Sequence, residues 1–180
     1  MTVFDVGANA GFYTLVFSRL VGLQGRVVAF EPDSENMCLL RKHIALNNLE
    51  NVSIVQAAAS DTSVLAGFSL TGGATGRLED GSNYLVPTYR LDDLLSSGVL
   101  PLPNVVKMDV EGAEVFVLRG AKQFIEKKTC IWIVALHGEE AKKGCLSIFM
   151  EAGYILRDLQ GNDIDIISFE SDEFIAIRNE

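Results

Sequence analysis

The chain has 180 residues, 48% of them hydrophobic and 22% charged, a balance that fits one globular domain and excludes disordered and collagen-like chains. Fifteen basic against twenty-four acidic residues leave a net charge of −9, which repels phosphate backbones and disfavours a nucleic-acid partner. Arg19, Lys107 and His137 break the longest apolar stretches before they reach the roughly 18 residues of a membrane span, and no secretory leader is expected. Cys38, Cys130 and Cys145 are odd in number and show no C-x-x-C spacing. They argue against a disulfide framework or zinc site and fit a cytoplasmic, reducing compartment.

Thr2–Val6 reads as a buried strand. Phe12, Val16, Leu20 and Leu23 recur at helical spacing and predict a helix over 12–23. Val27–Phe30 is a second strand, and Asp33 or Ser34 caps a helix to about Asn47 with Met37, Leu40 and Ile44 inward. Val52–Ala57 is a third strand. Residues 62–100 break the rhythm with Gly67, Gly72-Gly73, Gly76, Gly81 and Pro87. They predict a hairpin of Leu65–Leu70 and Tyr84–Tyr89, then a short helix over Leu91–Leu95. Such an insertion either overhangs a ligand crevice as a lid or extends the sheet. Val105–Val110 is a fourth strand, followed by a helix from about Ala113 to Lys127. Ile131–Leu136 is a fifth, followed by a helix over Glu139–Ala152. Tyr154–Asp158, Ile164–Phe169 and Phe174–Arg178 read as closing strands. Strand–helix alternation ending in antiparallel strands predicts an α/β fold, with a doubly wound, mostly parallel, Rossmann-like sheet in a single domain over 1–180.

Asp5-Val6-Gly7-Ala8-Asn9-Ala10-Gly11 joins the first strand to the first helix, where ligands of doubly wound sheets sit. Gly7 allows a sharp turn, and Gly11 allows the helix start to pack closely. A dinucleotide fingerprint would need glycine where Asn9 and Phe12 stand, Phe12 would crowd the helix–strand contact, and Asp5 has the wrong sign for pyrophosphate. No G-K-[ST] follows, so a P-loop is excluded as well. Glu31 ends the second strand, where an acid can accept both hydroxyls of a ribose. Asp61, with Ser60, follows the third strand, where an acid can accept an adenine amine or merely cap a turn. Acids at three strand ends, without a basic phosphate grip, suit S-adenosylmethionine, which carries a ribose, an adenine, an amino group and a sulfonium but no phosphate.

Four segments carry a family resemblance: Asp5–Gly11, Ala29-Phe30-Glu31-Pro32, Leu91-Asp92-Asp93, and Lys107-Met108-Asp109-Val110-Glu111-Gly112-Ala113-Glu114. Over roughly residues 3 to 150 the chain resembles the FkbM family of class I S-adenosylmethionine-dependent methyltransferases, and the K-x-D-x-E-G-x-E run is the specific part. The resemblance implies methyl transfer, commonly to a hydroxyl of a small molecule or sugar. It assigns Asp5, Gly7, Asn9, Gly11, Glu31 and Asp61 to cofactor binding. Proteins of this class usually carry helices ahead of the first strand. Without them, the 62–100 insertion or a second subunit would supply the cover, or the domain is a trimmed one; a homo-oligomer stays open.

Lys107, Asp109 and Glu111 share one face of an extended strand. An unpaired buried Lys107 would cost several kcal/mol, so it should lie against an acid. Asp109 and Glu111 either form a structural ion-pair set or face the acceptor as base candidates, with His137 as the second choice. FkbM relatives often carry Glu-x-His at the end of the fifth strand; Ala135 stands here instead, which predicts a His137 without that carboxylate. Asp92 and Asp93 are candidate caps of the short helix. Asp92 could also join Asp109 and Glu111 around a hard cation, although the spacing demands no metal. The competing functions are a methyltransferase acting on RNA or protein and a cofactor-binding module without catalysis.

Overall fold

The computed structural model of the chain describes residues 1–70, 76–165 and 168–178. Among these, seven strands form one sheet: β1 (Thr2–Val6), β2 (Arg26–Phe30), β3 (Val52–Val55), β8 (Val105–Met108), β9 (Ile131–Ala135), β10 (Tyr154–Arg157) and β11 (Glu173–Arg178). A smaller sheet contains β4 (Ala58–Ala59), β5 (Leu65–Leu70), β6 (Gly76–Leu78) and β7 (Leu85–Tyr89). The helices are α1 (Phe12–Val21), α2 (Ser34–Leu46), α3 (Leu91–Ser96), α4 (Glu114–Arg119), α5 (Lys122–Glu126) and α6 (Glu139–Glu151). The predicted Gly72-Gly73 turn lies outside the described residues, as does part of the Ile164–Phe169 strand. The described remainder of the latter segment forms no strand; an isolated bridge pairs Arg157 with Asp163 just before it.

The large sheet runs β10-β11-β9-β8-β1-β2-β3. The β3, β2, β1, β8 and β9 neighbours are parallel, and β11 is antiparallel to both β9 and β10. Chain order reverses between β1 and β8, so the turns after these two strands flank the switch-point crevice. The strands beside that point are almost wholly buried: Val3, Phe4 and Val6 of β1, and Val106 and Met108 of β8. Helices cover both faces, which is why these strands are apolar without alternation. Trp132 anchors one side, with its ring 5.7 Å from Phe124 and 5.5 Å from Phe149.

The first helix forms where predicted but presents the opposite face. Phe12 is 73% exposed, Leu20 71% and Leu23 89%, whereas Thr14 and Ser18 point inward. The reason is polar demand beneath the helix. Thr14 Oγ1 donates to Asp5 Oδ2 at 2.6 Å, and Ser18 Oγ donates to Asn51 Oδ1. A buried acid needs those donors more than the sheet needs another leucine. Phe12 therefore does not crowd the turn.

The helix predicted over 113–127 is two helices. A Cβ on Gly120 would lie 1.9 Å from the Ser60 carbonyl oxygen, so the break lets two backbones approach. Asp92 then serves α5 rather than its own helix, accepting from the backbone N–H of Gln123 and Phe124 at 3.1 Å each. Its distance from Asp109 and Glu111 is fixed by this role, and it joins no cluster with them.

Candidate active site

The turn after β1 is folded over the end of β2. Gly7 and Ala8 donate their N–H groups to the Phe30 carbonyl at 3.0 and 2.9 Å. Gly7 (φ 81°) and Asn9 (φ 50°) are left-handed, and Asn9 N–H donates to Glu31 Oε2 at 2.8 Å. A Cβ at Gly7 would fall 1.8 Å from the Asp109 carbonyl oxygen. The turns after β1 and β8 therefore touch backbone to backbone, and glycine alone allows it. Gly11 (φ 95°) plays the packing role foreseen for it, since a Cβ there would meet Leu40 Cδ1 at 2.4 Å.

The cleft between these turns is lined by Gly7, Asn9, Glu31, Asp109 and Glu111. Its far wall comes from Phe68, Arg77 and Leu78 of the insertion, with Ala57–Ala59 beside them. Tyr84 ties the insertion to α2 by donating to Ser34 Oγ at 3.2 Å and accepting from Ser34 N–H at 3.3 Å. Glu31 is buried, and its Oε1 accepts from Asp33 N–H at 2.9 Å. Burial holds its carboxyl above the usual range, although the Asp33 and Asn9 N–H groups and the Asn36 side chain pull the other way.

Asp5 does not line the cleft. It is buried one layer behind the turn, held by Thr14 and 3.7 Å from Lys107 Nζ. Burial also raises its carboxyl, against the pull of Lys107 and Thr14. Lys107 lies 3.4 Å from Asp109 Oδ2 and 3.5 Å from the Gly7 carbonyl oxygen, and its ammonium sits 4.8 Å from the centre of the Tyr13 ring. It is thus the paired lysine expected from the strand pattern. Ser60 and Asp61 also lie outside the lining set. The main-sheet strand ends at Val55, and the following residues leave it to pair β4 with β7, where Ser60 N–H donates to the Tyr89 carbonyl. The Ala57–Ala59 wall takes the place foreseen for them, and three small apolar residues gave no polar signal in the sequence.

Asp109, Glu111 and His137 do come together. His137 Nε2 lies 3.7 Å from Asp109 Oδ1 and 3.5 Å from Glu111 Oε2. Glu111 reaches this position through a left-handed backbone (φ 53°) just past β8. His137 is not left without a carboxylate. Its Nδ1 is 2.8 Å from Oε1 of Glu114, a fully buried residue that opens α4. Glu114 Oε1 also accepts from Gly112 N–H at 3.0 Å. The acid missing at Ala135 is replaced from another element, a long-range pairing that strand-end spacing does not reveal. Burial disfavours the charged imidazole, but the Glu114 hydrogen bond and the charges of Glu114, Glu111 and Asp109 outweigh it and raise the His137 pKa.

Seven strands in this order, a switch-point cleft and a carboxylate at the end of the second strand define the class I methyltransferase fold. The methyltransferase FkbM domain matches residues 5–173, and the chain belongs to that family. It is similar to the hexuronic acid methyltransferase AglP of Haloferax volcanii, with 26% identity over 152 residues covering 83% of this chain and 62% of the relative. The 2-O-methyltransferase NoeI of Sinorhizobium fredii is 26% identical over 151 residues, covering 72% and 61%. The chain thus spans about three fifths of the length of these relatives. Among solved structures, the methyltransferase FkbM of Methylobacillus flagellatus superposes with a TM-score of 0.65 at 18% identity, covering 97% of this chain and 42% of that one.

Proposed function

We propose that this chain catalyses S-adenosylmethionine-dependent O-methylation of a small-molecule or sugar hydroxyl. The observation that carries the reading is the meeting of the Gly7 turn and the Asp109 turn in one cleft lined by acids from the ends of β2 and β8, with His137 from the end of β9 set against Asp109 and Glu111. The relatives' names, a hexuronic acid methyltransferase and a 2-O-methyltransferase, support the acceptor class.

The donor set fits the cofactor. Glu31 is placed for a ribose diol, with its carboxylate already oriented by two backbone N–H groups. Gly7 and Asn9 line the cleft from a left-handed turn, and Phe30 with Ala57–Ala59 offers an apolar wall for adenine. Among the described residues Arg77 is the one basic side chain in the lining, which suits a ligand without phosphates. Asp5 acts from behind, fixing the turn through Thr14 and Lys107. Ser60 and Asp61 have no place in this assignment.

When bound, S-adenosylmethionine supplies an electrophilic methyl group on a sulfonium. Asp109 and Glu111 would orient the acceptor hydroxyl in line with it, and they or His137 would receive its proton. Holding the reacting oxygen in line supplies much of the rate, and the pairing of Glu114 with Nδ1 fixes the His137 ring for that purpose. The Glu114–His137 pair supplies from α4 the carboxylate that is missing at Ala135, which favours a catalytic reading over a module without catalysis. Such a domain would act on small molecules in the cytoplasm, the reducing compartment that its free cysteines fit. No helix among the described residues is long and apolar enough to cross a membrane.

Calorimetric titration tests the cofactor: S-adenosylmethionine should bind and NADH should not, and the reverse outcome would refute the family-based reading. Turnover on a panel of hydroxylated sugars, uronic acids included, tests the acceptor class. Asp109→Asn should slow turnover at least tenfold with cofactor affinity nearly intact; full activity would return Asp109 to a purely structural role.

A further inference from the structure

We infer that Asp109, Glu111 and His137 form a binding site for a small divalent cation, Mn2+ or Mg2+. One ligand atom from each lies within 4.8 Å of the other two. Cis ligands of an octahedral ion of this size are about 3 Å apart. The 3.5 and 3.7 Å separations from His137 Nε2 need only a small contraction to reach that spacing. All three side chains are about one-third exposed, which leaves the remaining coordination positions open to water and to an acceptor.

The second observation is Glu114. It is fully buried, with Oε1 turned to His137 Nδ1 and Oε2 without a hydrogen-bond partner. A carboxylate only accepts, so the Nδ1 position carries the proton and Nε2 is left facing the two carboxylate oxygens. That contact calls for a positive centre at Nε2, either a cation or a second proton. Lys107 does not fill this need, because it lies against the other oxygen of Asp109. A buried acid holding the far nitrogen of an imidazole is the arrangement that orients histidine metal ligands and raises their basicity. Two carboxylates with one imidazole suit Mn2+ and Mg2+ better than soft metals.

The site deepens the methyl-transfer reading and rests on it for its purpose. With a cation seated, the acceptor hydroxyl binds through its oxygen, its O–H bond is weakened, and the proton passes to a solvent water rather than directly to one of the three side chains. The alternative occupant of the same position is a proton on Nε2.

The test uses the full chain stripped with EDTA and titrated with Mn2+, free Mn2+ being read by electron paramagnetic resonance. One Mn2+ per chain should be taken up. Glu111→Gln and His137→Ala should weaken uptake at least tenfold, and Glu114→Gln about tenfold. No uptake at millimolar Mn2+, or equal uptake by wild type and both ligand variants, overturns the site. Nitrogen-15 shifts showing both His137 nitrogens protonated in the presence of saturating, diamagnetic Mg2+ would do the same. Calorimetry with S-adenosylmethionine on the same stripped samples separates the two ideas. Mn2+ uptake without cofactor binding supports the cation site and defeats the methyl-transfer reading. Cofactor binding without Mn2+ uptake does the opposite.

Discussion

Glu31 carries two demands that pull apart with pH. Its carboxyl sits above the ordinary range because burial penalises the charge. A carboxyl raised by folding contributes stability that is complete below its unfolded pKa and lost as pH rises through the folded value. Asp5 has the same sign. Mild acidification therefore costs the fold nothing through these two groups, while it protonates the acid that would hold a ribose. We expect cofactor affinity to fall at a pH somewhat above the usual glutamate value of 4.5, with circular-dichroism melting of the free protein not lowered by these two groups there. Calorimetry across a pH series checks this, and loss of fold together with loss of binding would contradict it. Gly7→Ala tests the neighbouring turn. A side chain at φ 81° that meets a carbonyl at 1.8 Å should cost about 2 kcal/mol or more of stability and abolish cofactor binding. Urea denaturation and the same titration read both effects.

Among the elements, α1 separates what periodicity can reveal from what it cannot. The spacing of Phe12, Val16 and Leu20 placed the helix correctly, yet its inward face is Thr14 and Ser18. Hydrophobic pattern assigns the element; the unmet hydrogen-bond demand of Asp5 and Asn51 chooses the face, and that demand is visible only once the strands are in place. The test is a pair of variants. Leu20→Gln should change stability by less than about 0.5 kcal/mol, as an exposed surface change does. Thr14→Val should cost about 1–3 kcal/mol by removing the donor to a buried carboxylate. Equal and large losses would place the apolar stripe inside. The same distinction governs the site. Asp109, Glu111, His137, Gly7 and Glu31 were legible because each sits at the end of a strand whose apolar run is unmistakable. Glu114 escaped notice as a site residue because a helix-start acid looks alike whether it faces water or an imidazole. Ala57–Ala59 escaped because a wall needs only smallness. Ser60 and Asp61 lie outside the cleft lining because the chain changes sheets at Ala58 instead of continuing the third strand.

For the molecule as a whole, the sheet leaves its three cysteines in unequal settings. Cys38 is exposed, whereas Cys130 and Cys145 are buried and unpaired. Burial pushes the Cys145 thiol up to about 12, with the Glu114 charge adding to it, and pushes Cys130 up as well. Thiolate is the reactive form, so one thiol per chain should react with Ellman's reagent in buffer and three in denaturant. Fast reaction of a second thiol in buffer would show that the core around Trp132 and Phe149 opens locally.

The contact between Gly7 and the Asp109 carbonyl bears on how such domains can be rebuilt. The two strand-to-helix turns share a surface with no side chain between them, so a chimera that imports one from a cousin without its mate should inherit a collision. The β5–β7 flap is fastened by Tyr84, and none of its described glycines meets either turn's backbone, so it is the natural cassette for exchanging acceptor preference while the contact between the two turns stays intact.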